Sequence, residues 1–202
     1  MRLSACLLIM IKGLITTAIV LGGIAIFYCY FMEKIDNVET QQYALLAKDG
    51  PIEIRTYGKS LIAKTAIKGN YKEASNRGFQ KLAGYIFGGN EKQKQIAMTS
   101  PVWMSGDSKE GEMHFMMPSG YDSSDLPTPQ DKSVMIDNFE GGKFASITFS
   151  GYANDEKINK YKNKLTSWLN ENKYDASGKV FYAGYDAPFK VYSRRNEVLI
   201  AL

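Results

Sequence analysis

Cysteine and histidine are scarce in this sequence of 202 residues, which has two cysteines and one histidine. Both cysteines, Cys6 and Cys29, lie in the N-terminal segment, so no cysteine follows residue 33. The long remainder cannot be a disulfide-stabilised scaffold, a thiol enzyme or a cysteine-ligated metal site. A single histidine without cysteine also excludes most zinc sites and an ordinary Ser-His catalytic triad.

Signals of other common activities are missing as well. The formal net charge is +4, which is too small to indicate a nucleic-acid-binding protein. Gly88-Gly89-Asn90 lacks the Lys-Ser/Thr pair of a phosphate-binding loop and is typical of the end of a helix. The carboxylates are scattered, and Asp155 and Glu156 suit the dipole at a helix start. We therefore expect no enzyme and no nucleic-acid partner.

A long apolar run lies near the N-terminus. Gly13 to Met32 is 20 residues without a charge, long enough to cross a bilayer as one helix. Arg2 and Lys12 precede this run, and basic residues flanking a span tend to stay in the cytoplasm. We therefore predict a single-pass membrane protein whose domain lies outside the cytoplasm, on the periplasmic face of an inner membrane if the source is bacterial.

This run also sets the predicted domain organisation. Residues 1–32 would form an N-terminal transmembrane signal anchor, and the short polar stretch 33–42 would be a tether. Residues 43–202 would form one domain, which is long enough to bury a single core.

The predicted domain has the pattern of an α+β fold built from a repeated half. Apolar residues at helical spacing from Tyr71 to Ile86 predict one amphipathic helix, and those from Ile158 to Leu169 predict a second. Each helix lies between alternating runs that are typical of strands. The shared order strand, strand, helix, strand, strand indicates a duplicated ββαββ unit. An antiparallel sheet with two helices on one face would follow.

The one histidine, His114, lies in the strand-like run EMHFMMP. Alternation places His114 and Met116 on one face of the strand, and Met113, Phe115 and Met117 on the other. A histidine in this setting is more often a packed side chain than a metal ligand. Metal ligation stays open as the alternative.

Several motifs resemble those of one known family. They are YALLAKDGPIEIRTY, GFQKLAGYIFGGN, IAMTSPV, LPTP and AGYDAPFKVYSRRNEV. In this order and spacing, from Tyr43 to Leu202, the sequence resembles the SOUL heme-binding protein family. The resemblance implies an antiparallel, distorted β-barrel with two helices. It also implies non-covalent binding of heme or related tetrapyrroles, and no established catalytic residues.

The resemblance further implies where a tetrapyrrole binds, in an apolar groove between the first helix and the loop before the last strand. A flat apolar ring needs aliphatic and aromatic walls, and its propionates need cations at the rim. Lys81 and Lys190 are the cations that we expect there, and Arg194 and Arg195 are the less favoured alternatives. The predicted groove residues are Phe79, Leu82, Ala83, Ile86, Tyr185, Pro188, Phe189 and Lys190.

Iron ligation departs from the family pattern. Some members have a histidine in the motif Glu-Ile-Arg-x-Tyr, where this chain has Thr56. That position cannot ligate iron. Heme would then bind without a protein ligand or through another residue, for which His114 and Met98 are the candidates.

Two functions from different classes follow from these observations. The first is a membrane-tethered heme or tetrapyrrole carrier, buffer or chaperone without catalysis. The second is a binding module for another amphipathic small molecule, or a protein-interaction domain, on the same scaffold. A hydrolase ranks last, because the sequence offers no nucleophile paired with a base.

Overall fold

In the computed structural model the chain divides into two units, Met1–Val38 and Glu39–Leu202. The structure describes residues 15, 16, 18–24, 26, 38–106, 110–190 and 192–202. Most of the predicted anchor and tether therefore lies outside the described residues. The boundaries at 32 and 42 stay predictions.

The first unit corrects the membrane prediction. Its described helical residues fall between positions 15 and 26. No helix in the described part of the chain is long and apolar enough to cross a membrane. The predicted single-pass membrane localisation is therefore wrong, and the predicted transmembrane helix is not supported.

The second unit consists of short strands and two helices. Its helices are α1 (Tyr71–Ile86) and α2 (Asp155–Glu171), where the apolar spacing predicts them. The strands are β1 (Glu39–Thr40), β2 (Tyr43–Asp49), β3 (Ile52–Tyr57), β4 (Ser60–Ile67), β5 (Thr99–Ser100), β6 (Val102–Gly106), β7 (Gly111–Met116), β8 (Val134–Phe139), β9 (Gly142–Phe149), β10 (Val180–Gly184) and β11 (Asn196–Ala201).

Nine of these strands form one sheet in the order β2-β3-β9-β11-β10-β6-β7-β4-β8. All neighbours in it pair antiparallel, whereas β1 and β5 form a separate parallel pair. Within the described residues, β2 pairs only with β3 and β8 only with β4, so the sheet is open. The α+β class with a large antiparallel sheet is confirmed. The closed form of the predicted barrel is wrong, because no pairing joins the two edge strands in the described part of the chain.

Apart from the edge strand β2, the strand order is symmetrical about the central pair, β6 and β10. One side continues through β7, β4 and β8, and the other through β11, β9 and β3. Helix α1 follows β4, and α2 follows β9 at the matching place on the other side. The first half comprises β3, β4, α1, β6 and β7, and the second comprises β8, β9, α2, β10 and β11. Strand β8 of the second half pairs with β4 of the first, and β3 of the first half pairs with β9 of the second. Both halves therefore run strand, strand, helix, strand, strand.

Both helices pack on the same face of the sheet. Helix α1 lies on β4 and β7, and α2 lies on β9 and β11. Each begins at an asparagine whose side chain accepts a backbone N–H, Asn70 from Glu73 and Asn154 from Lys157. Such caps satisfy donors that a helix start leaves unpaired. The central strands β6 and β10 lie between the two helices.

The sheet separates two hydrophobic clusters. The helix-side cluster contains Leu82 and Ile86 of α1 and Leu165 and Leu169 of α2. The opposite cluster is largely aromatic and surrounds the fully buried Trp103. Its other rings are Tyr57, Phe139, Phe144 and Phe181. These rings lie 5.3–5.7 Å from Trp103, a distance typical of favourable aromatic packing.

Candidate functional site

Helix α1 presents the predicted groove residues in two different environments. Leu82 and Ile86 are fully buried in the helix-side core, and Ala83 is almost as buried. Phe79 is half-buried, and its ring lies 5.4 Å from that of Phe115 on β7. Of this set, Phe79 is therefore the side chain that a ligand at the surface could contact most directly. Leu82 and Ile86 would support that wall from behind.

The loop between β10 and β11 is held by its own polar groups. The Asp186 carboxylate accepts a hydrogen bond from Lys190 Nζ and another from the Arg195 backbone N–H. The Arg194 guanidinium donates to the carbonyls of Ala187 and Lys190, both at 2.8 Å. Lys190 is therefore already paired with a carboxylate inside the loop. Asp186 and the Arg194 guanidinium both contact Lys190, so these three residues are tied together within the loop.

The outer side of this loop carries exposed rings. Phe189 is 59% exposed and Tyr192 is 84% exposed. Tyr152, which follows β9, is 56% exposed, and the Arg194 guanidinium lies 4.8 Å from the centre of its ring. We call Tyr152, Phe189 and Tyr192 the aromatic loop surface. Exposed rings beside cations suit an amphipathic ligand that has an apolar ring and acidic groups.

A chain of hydrogen bonds joins the base of this loop to the start of α1. The Tyr71 hydroxyl donates to that of Tyr182 at 3.1 Å, and the Tyr182 hydroxyl donates to Asn196 Oδ1 at 2.6 Å. Tyr182 belongs to β10 and Asn196 to β11, the two strands that the loop connects. Burial, together with Tyr71, raises the pKa of Tyr182 well above its usual range. The fold thus brings the N-terminal end of α1 and the loop base together.

Tyr185 lies on the other face of the sheet. Its ring packs against the aromatic cluster, and its hydroxyl donates to Glu197 Oε2 at 2.8 Å. Glu197 is fully buried and also accepts from Arg55 and Arg195. Burial alone would raise the pKa of Glu197, but the hydrogen bonds and charges of both arginines hold it below its usual range. The structure therefore does not bring Tyr185 together with Leu82 and Ile86.

The two candidate iron ligands are separated by the sheet. His114 is 4% exposed and its ring stacks on Trp103 at 5.7 Å, in the aromatic cluster. Met98 packs against the helix-side core instead. Burial lowers the pKa of His114 to about 4. The alternation predicted for this strand is confirmed, because Met116 lies in the aromatic cluster and Met113 in the helix-side core.

Possible metal ligands are dispersed in the part of the chain that the structure describes. Within the described residues, no three His, Cys, Asp or Glu side chains are grouped so that they could hold an ion. The Nε2 atom of His114 is buried and has no hydrogen-bond partner within the described residues. Since His114 and α1 lie on opposite faces, this atom could reach a ligand beside α1 only across the sheet.

Lys81, the other predicted cation, lies on a different flank of α1 from Phe79. At 100° per residue, Phe79 and Lys81 point in directions 200° apart on the helix. Lys81 lines a groove of about 430 Å³ together with Gln130 and Asp131 from the segment before β8. Lys81 therefore lies away from the Phe79 flank, and the structure does not bring these two predicted residues together.

Three residues near the loop were not among the predicted site residues. They are Tyr152, Asp186 and Tyr192. Asp186 orders the loop, and the two tyrosines widen its exposed aromatic surface. The local sequence gives no signal for Tyr152, because the fold alone brings the end of β9 beside a loop that lies some 35 residues further along the chain.

The sequence is similar to those of known proteins over most of its length. Heme-binding protein 1 of Xenopus laevis is 32% identical over 173 residues, which cover 81% of this chain and 90% of that protein. Heme-binding protein 2 of Homo sapiens is 33% identical over 158 residues, which cover 74% of this chain and 77% of that protein.

A solved structure extends the comparison to the fold. The C-terminal domain of EcmrR is similar with a TM-score of 0.56 at 10% identity, covering 79% of this chain and 96% of that domain. At this identity the likeness concerns the fold alone. The model of the SOUL heme-binding protein family matches residues 38–201. Because this match covers most of the chain, the chain belongs to the SOUL heme-binding protein family.

Proposed function

We propose that this protein binds heme or a related tetrapyrrole without covalent attachment and without catalysing a reaction. The observation that carries the proposal is the junction of α1 with the β10–β11 loop through Tyr71, Tyr182 and Asn196. In this proposal the junction holds the start of α1 at the base of the loop, and the apolar flank of the helix and the exposed rings of the loop form the two sides of the groove. Family membership and the names of the relatives support heme as the ligand.

The groove runs from the Phe79 flank of α1 to the β10–β11 loop. Phe79 and Ala83 form one wall, and Pro188 and Phe189 form the other. Lys190 meets a propionate at the rim, and Asp186 holds Lys190 in place when no ligand is there. An apolar ring matches the exposed aromatic side chains, and a carboxylate matches the lysine.

The remaining predicted groove residues have indirect roles in this proposal. Leu82 and Ile86 fix the position of the helix flank from within the core. Tyr185 anchors the loop to Glu197 from the opposite face of the sheet. His114 takes no part in binding, because the sheet lies between it and the groove. Iron then has no ligand from that residue, and Met98, on the helix side, is the remaining candidate.

The biological role that suits such a site is that of a carrier, buffer or chaperone for the tetrapyrrole. The alternative is a binding module for another amphipathic small molecule, or a protein-interaction domain, on the same sheet. We also infer that the two ββαββ halves arose by duplication, since their helices and strands occupy matching places about the β6–β10 pair. The domain boundary that we propose is 43–202.

Titration of the full chain with hemin, followed by absorbance, tests the proposed function. We expect a shifted Soret band that saturates near one equivalent. Linear, non-saturating growth would favour the alternative. Titration with an iron-free porphyrin separates ring binding from iron ligation, because a groove that recognises the ring and its propionates should bind both compounds with similar affinity.

A further inference from the structure

Helix α1 contains two glycines, and the fold accounts for only one of them. A Cβ atom on Gly78 would lie 2.7 Å from Cγ2 of Ile67 and 3.0 Å from Sδ of Met113, so close packing on the sheet requires glycine. Gly84 is exposed, and a Cβ atom there would meet nothing within 4 Å. Glycine inside a helix is less favourable than alanine. Packing therefore gives no reason for glycine at position 84.

Gly84 lies in the groove on the Lys81 flank of α1. This groove has a volume of about 430 Å³, within the range of small-molecule sites in proteins. Because Gly84 has no side chain, the helix backbone is bare there and a planar ring can approach it closely. The residues around this floor include Arg77, Gln80, Lys81, Tyr85, Gln130 and Asp131.

The charges in the groove are unequally available to a ligand. Arg77 is held by Glu73 at 3.3 Å and by the Lys68 carbonyl at 3.2 Å. Lys81 is exposed, so it is the better partner for a bound anion. Asp131, on the facing wall, accepts the N–H and hydroxyl of Ser133 at 2.8 and 2.7 Å.

These hydrogen bonds, with a smaller contribution from the Lys81 charge, hold the pKa of Asp131 below its usual range. Asp131 is therefore a carboxylate at neutral pH and would repel an anion. Lys81 and Asp131 should then act on an anionic ligand in opposite directions. Neutral substitutions of these two residues should therefore change the affinity for an anionic ligand in opposite directions, which can be measured.

We propose that the groove is a second small-molecule site, which binds a planar aromatic ring bearing a carboxylate. The ring lies over the bare backbone at Gly84. The carboxylate pairs with Lys81. The site is separate from the proposed heme groove, because Phe79 points to the other flank of α1. Occupancy of one groove therefore does not require the other.

The test uses 2-naphthoate as the probe and the full chain labelled with ¹⁵N. We expect saturable shifts of the amide resonances of Gly84 and Gly89, which line the groove. Gly84→Leu should weaken binding at least about tenfold, because its side chain would fill the floor. Lys81→Met should weaken binding by about two- to fivefold, and Asp131→Asn should strengthen it by a similar factor.

Controls separate a blocked site from a damaged fold. Leucine is a good helix former and Gly84 faces open space, so the melting temperature of Gly84→Leu should not fall. Gly84→Ala, the smallest change, should bind with intermediate affinity. Phe189→Ser should bind 2-naphthoate like the parent. The proposal is overturned by shifts that do not saturate, by parent-like binding of Gly84→Leu, or by changes of the same sign in Lys81→Met and Asp131→Asn.

Discussion

Arg55 and Glu197 are 142 positions apart in the sequence and form a two-point ion pair inside the protein. The two guanidinium nitrogens of Arg55 lie 2.7 and 3.0 Å from the two carboxylate oxygens of Glu197. Both side chains are buried, with exposures of 1% and 0%. The pair connects β3 with β11 across β9. It therefore fixes the strand that leads out of the proposed heme loop.

Glu197→Gln should destabilise the protein by about 2–4 kcal/mol, because it leaves the buried Arg55 guanidinium with Glu53 as its remaining carboxylate partner. The matched control is Glu140→Gln, which breaks the exposed pair with Lys59 at 2.6 Å. That change should alter stability by less than about 1 kcal/mol. Urea denaturation of the three proteins at pH 7 measures both effects. Equal small losses for the two variants would refute a structural role for the pair.

The Arg55–Glu197 pair should make the free energy of unfolding depend on pH in the acid range. The folded-state pKa of Glu197 is lowered, so its contribution is present above the unfolded pKa, near 4.5, and is lost as pH falls through the lower folded value. The parent should therefore lose more stability than Glu197→Gln as pH decreases below about 4.5. Denaturation midpoints at pH 3 to 7 measure the difference. Midpoints that change with pH by the same amount in the parent and in Glu197→Gln would contradict this prediction.

His114 should give a second pH dependence, in a different window. Its folded pKa is about 4, against about 6.5 when unfolded. Between these values the unfolded state binds the proton more tightly, so stability falls by up to about 3 kcal/mol as pH decreases from 6.5 to 4. Glu112, Lys64 and Lys179 are the charged groups that act on this histidine. Their effects are smaller than that of burial.

His114→Phe should remove this pH dependence and leave hemin binding within about threefold of the parent, since iron ligation would contribute more than ~1 kcal/mol. Denaturation at pH 4 to 7 and hemin titration are the two measurements. A variant that folds but loses the bound-heme spectrum would show that His114 is a ligand after all.

The two glycines of α1 should respond oppositely to alanine. Gly78→Ala should cost about 1–3 kcal/mol, because the new methyl group would press on Ile67 and Met113. Gly84→Ala should raise stability by about 0.5–1 kcal/mol through helix propensity alone. Urea denaturation of both variants measures these changes in the free energy of unfolding. The slope of that free energy against urea concentration should be the same as in the parent. A loss of stability in Gly84→Ala would mean that position 84 has a packing role.

Lys190→Glu should weaken hemin binding by about two- to fivefold, and more at low salt than at high salt. The new carboxylate would repel both Asp186 and a propionate. The melting temperature should change little, because Lys190 is partly exposed. Lys173→Glu, at an exposed lysine beyond α2, is the matched control and should bind hemin like the parent. Identical titrations of the two variants at every ionic strength would remove Lys190 from the site.

Local patterns predict much of this fold. The helical spacing of apolar residues gives α1 and α2, and period-two alternation places His114 and Met113 on opposite faces of β7. These features depend on neighbours a few residues away, where the geometry of one helix or strand decides the outcome. The repeated order strand, strand, helix, strand, strand extends the prediction to the α+β class and the large antiparallel sheet, and the family motifs imply the same class.

Contacts between distant segments could not be predicted in this way. The Arg55–Glu197 pair depends on the register of β3, β9 and β11, which no local pattern fixes. The apolar stripe of α1 does not tell which of Phe79 and Leu82 remains accessible, because that depends on how the helix lies on β4 and β7. Loop conformation likewise decides that Lys190 pairs with Asp186. It also decides that Tyr185 lies on the face of the sheet opposite the helices.

Hemin titration of two matched phenylalanine variants tests the central claim most directly. Phe189 in the loop and Phe87 at the end of α1 are 59% and 62% exposed, so serine at either position should preserve the fold. Loss of one aromatic wall should weaken binding by about five- to twentyfold in Phe189→Ser, equivalent to ~1–2 kcal/mol. Phe87→Ser should stay within about twofold of the parent. The account predicts this difference together with saturation near one equivalent. Equal affinities for the two variants, or titrations that never saturate, would contradict it.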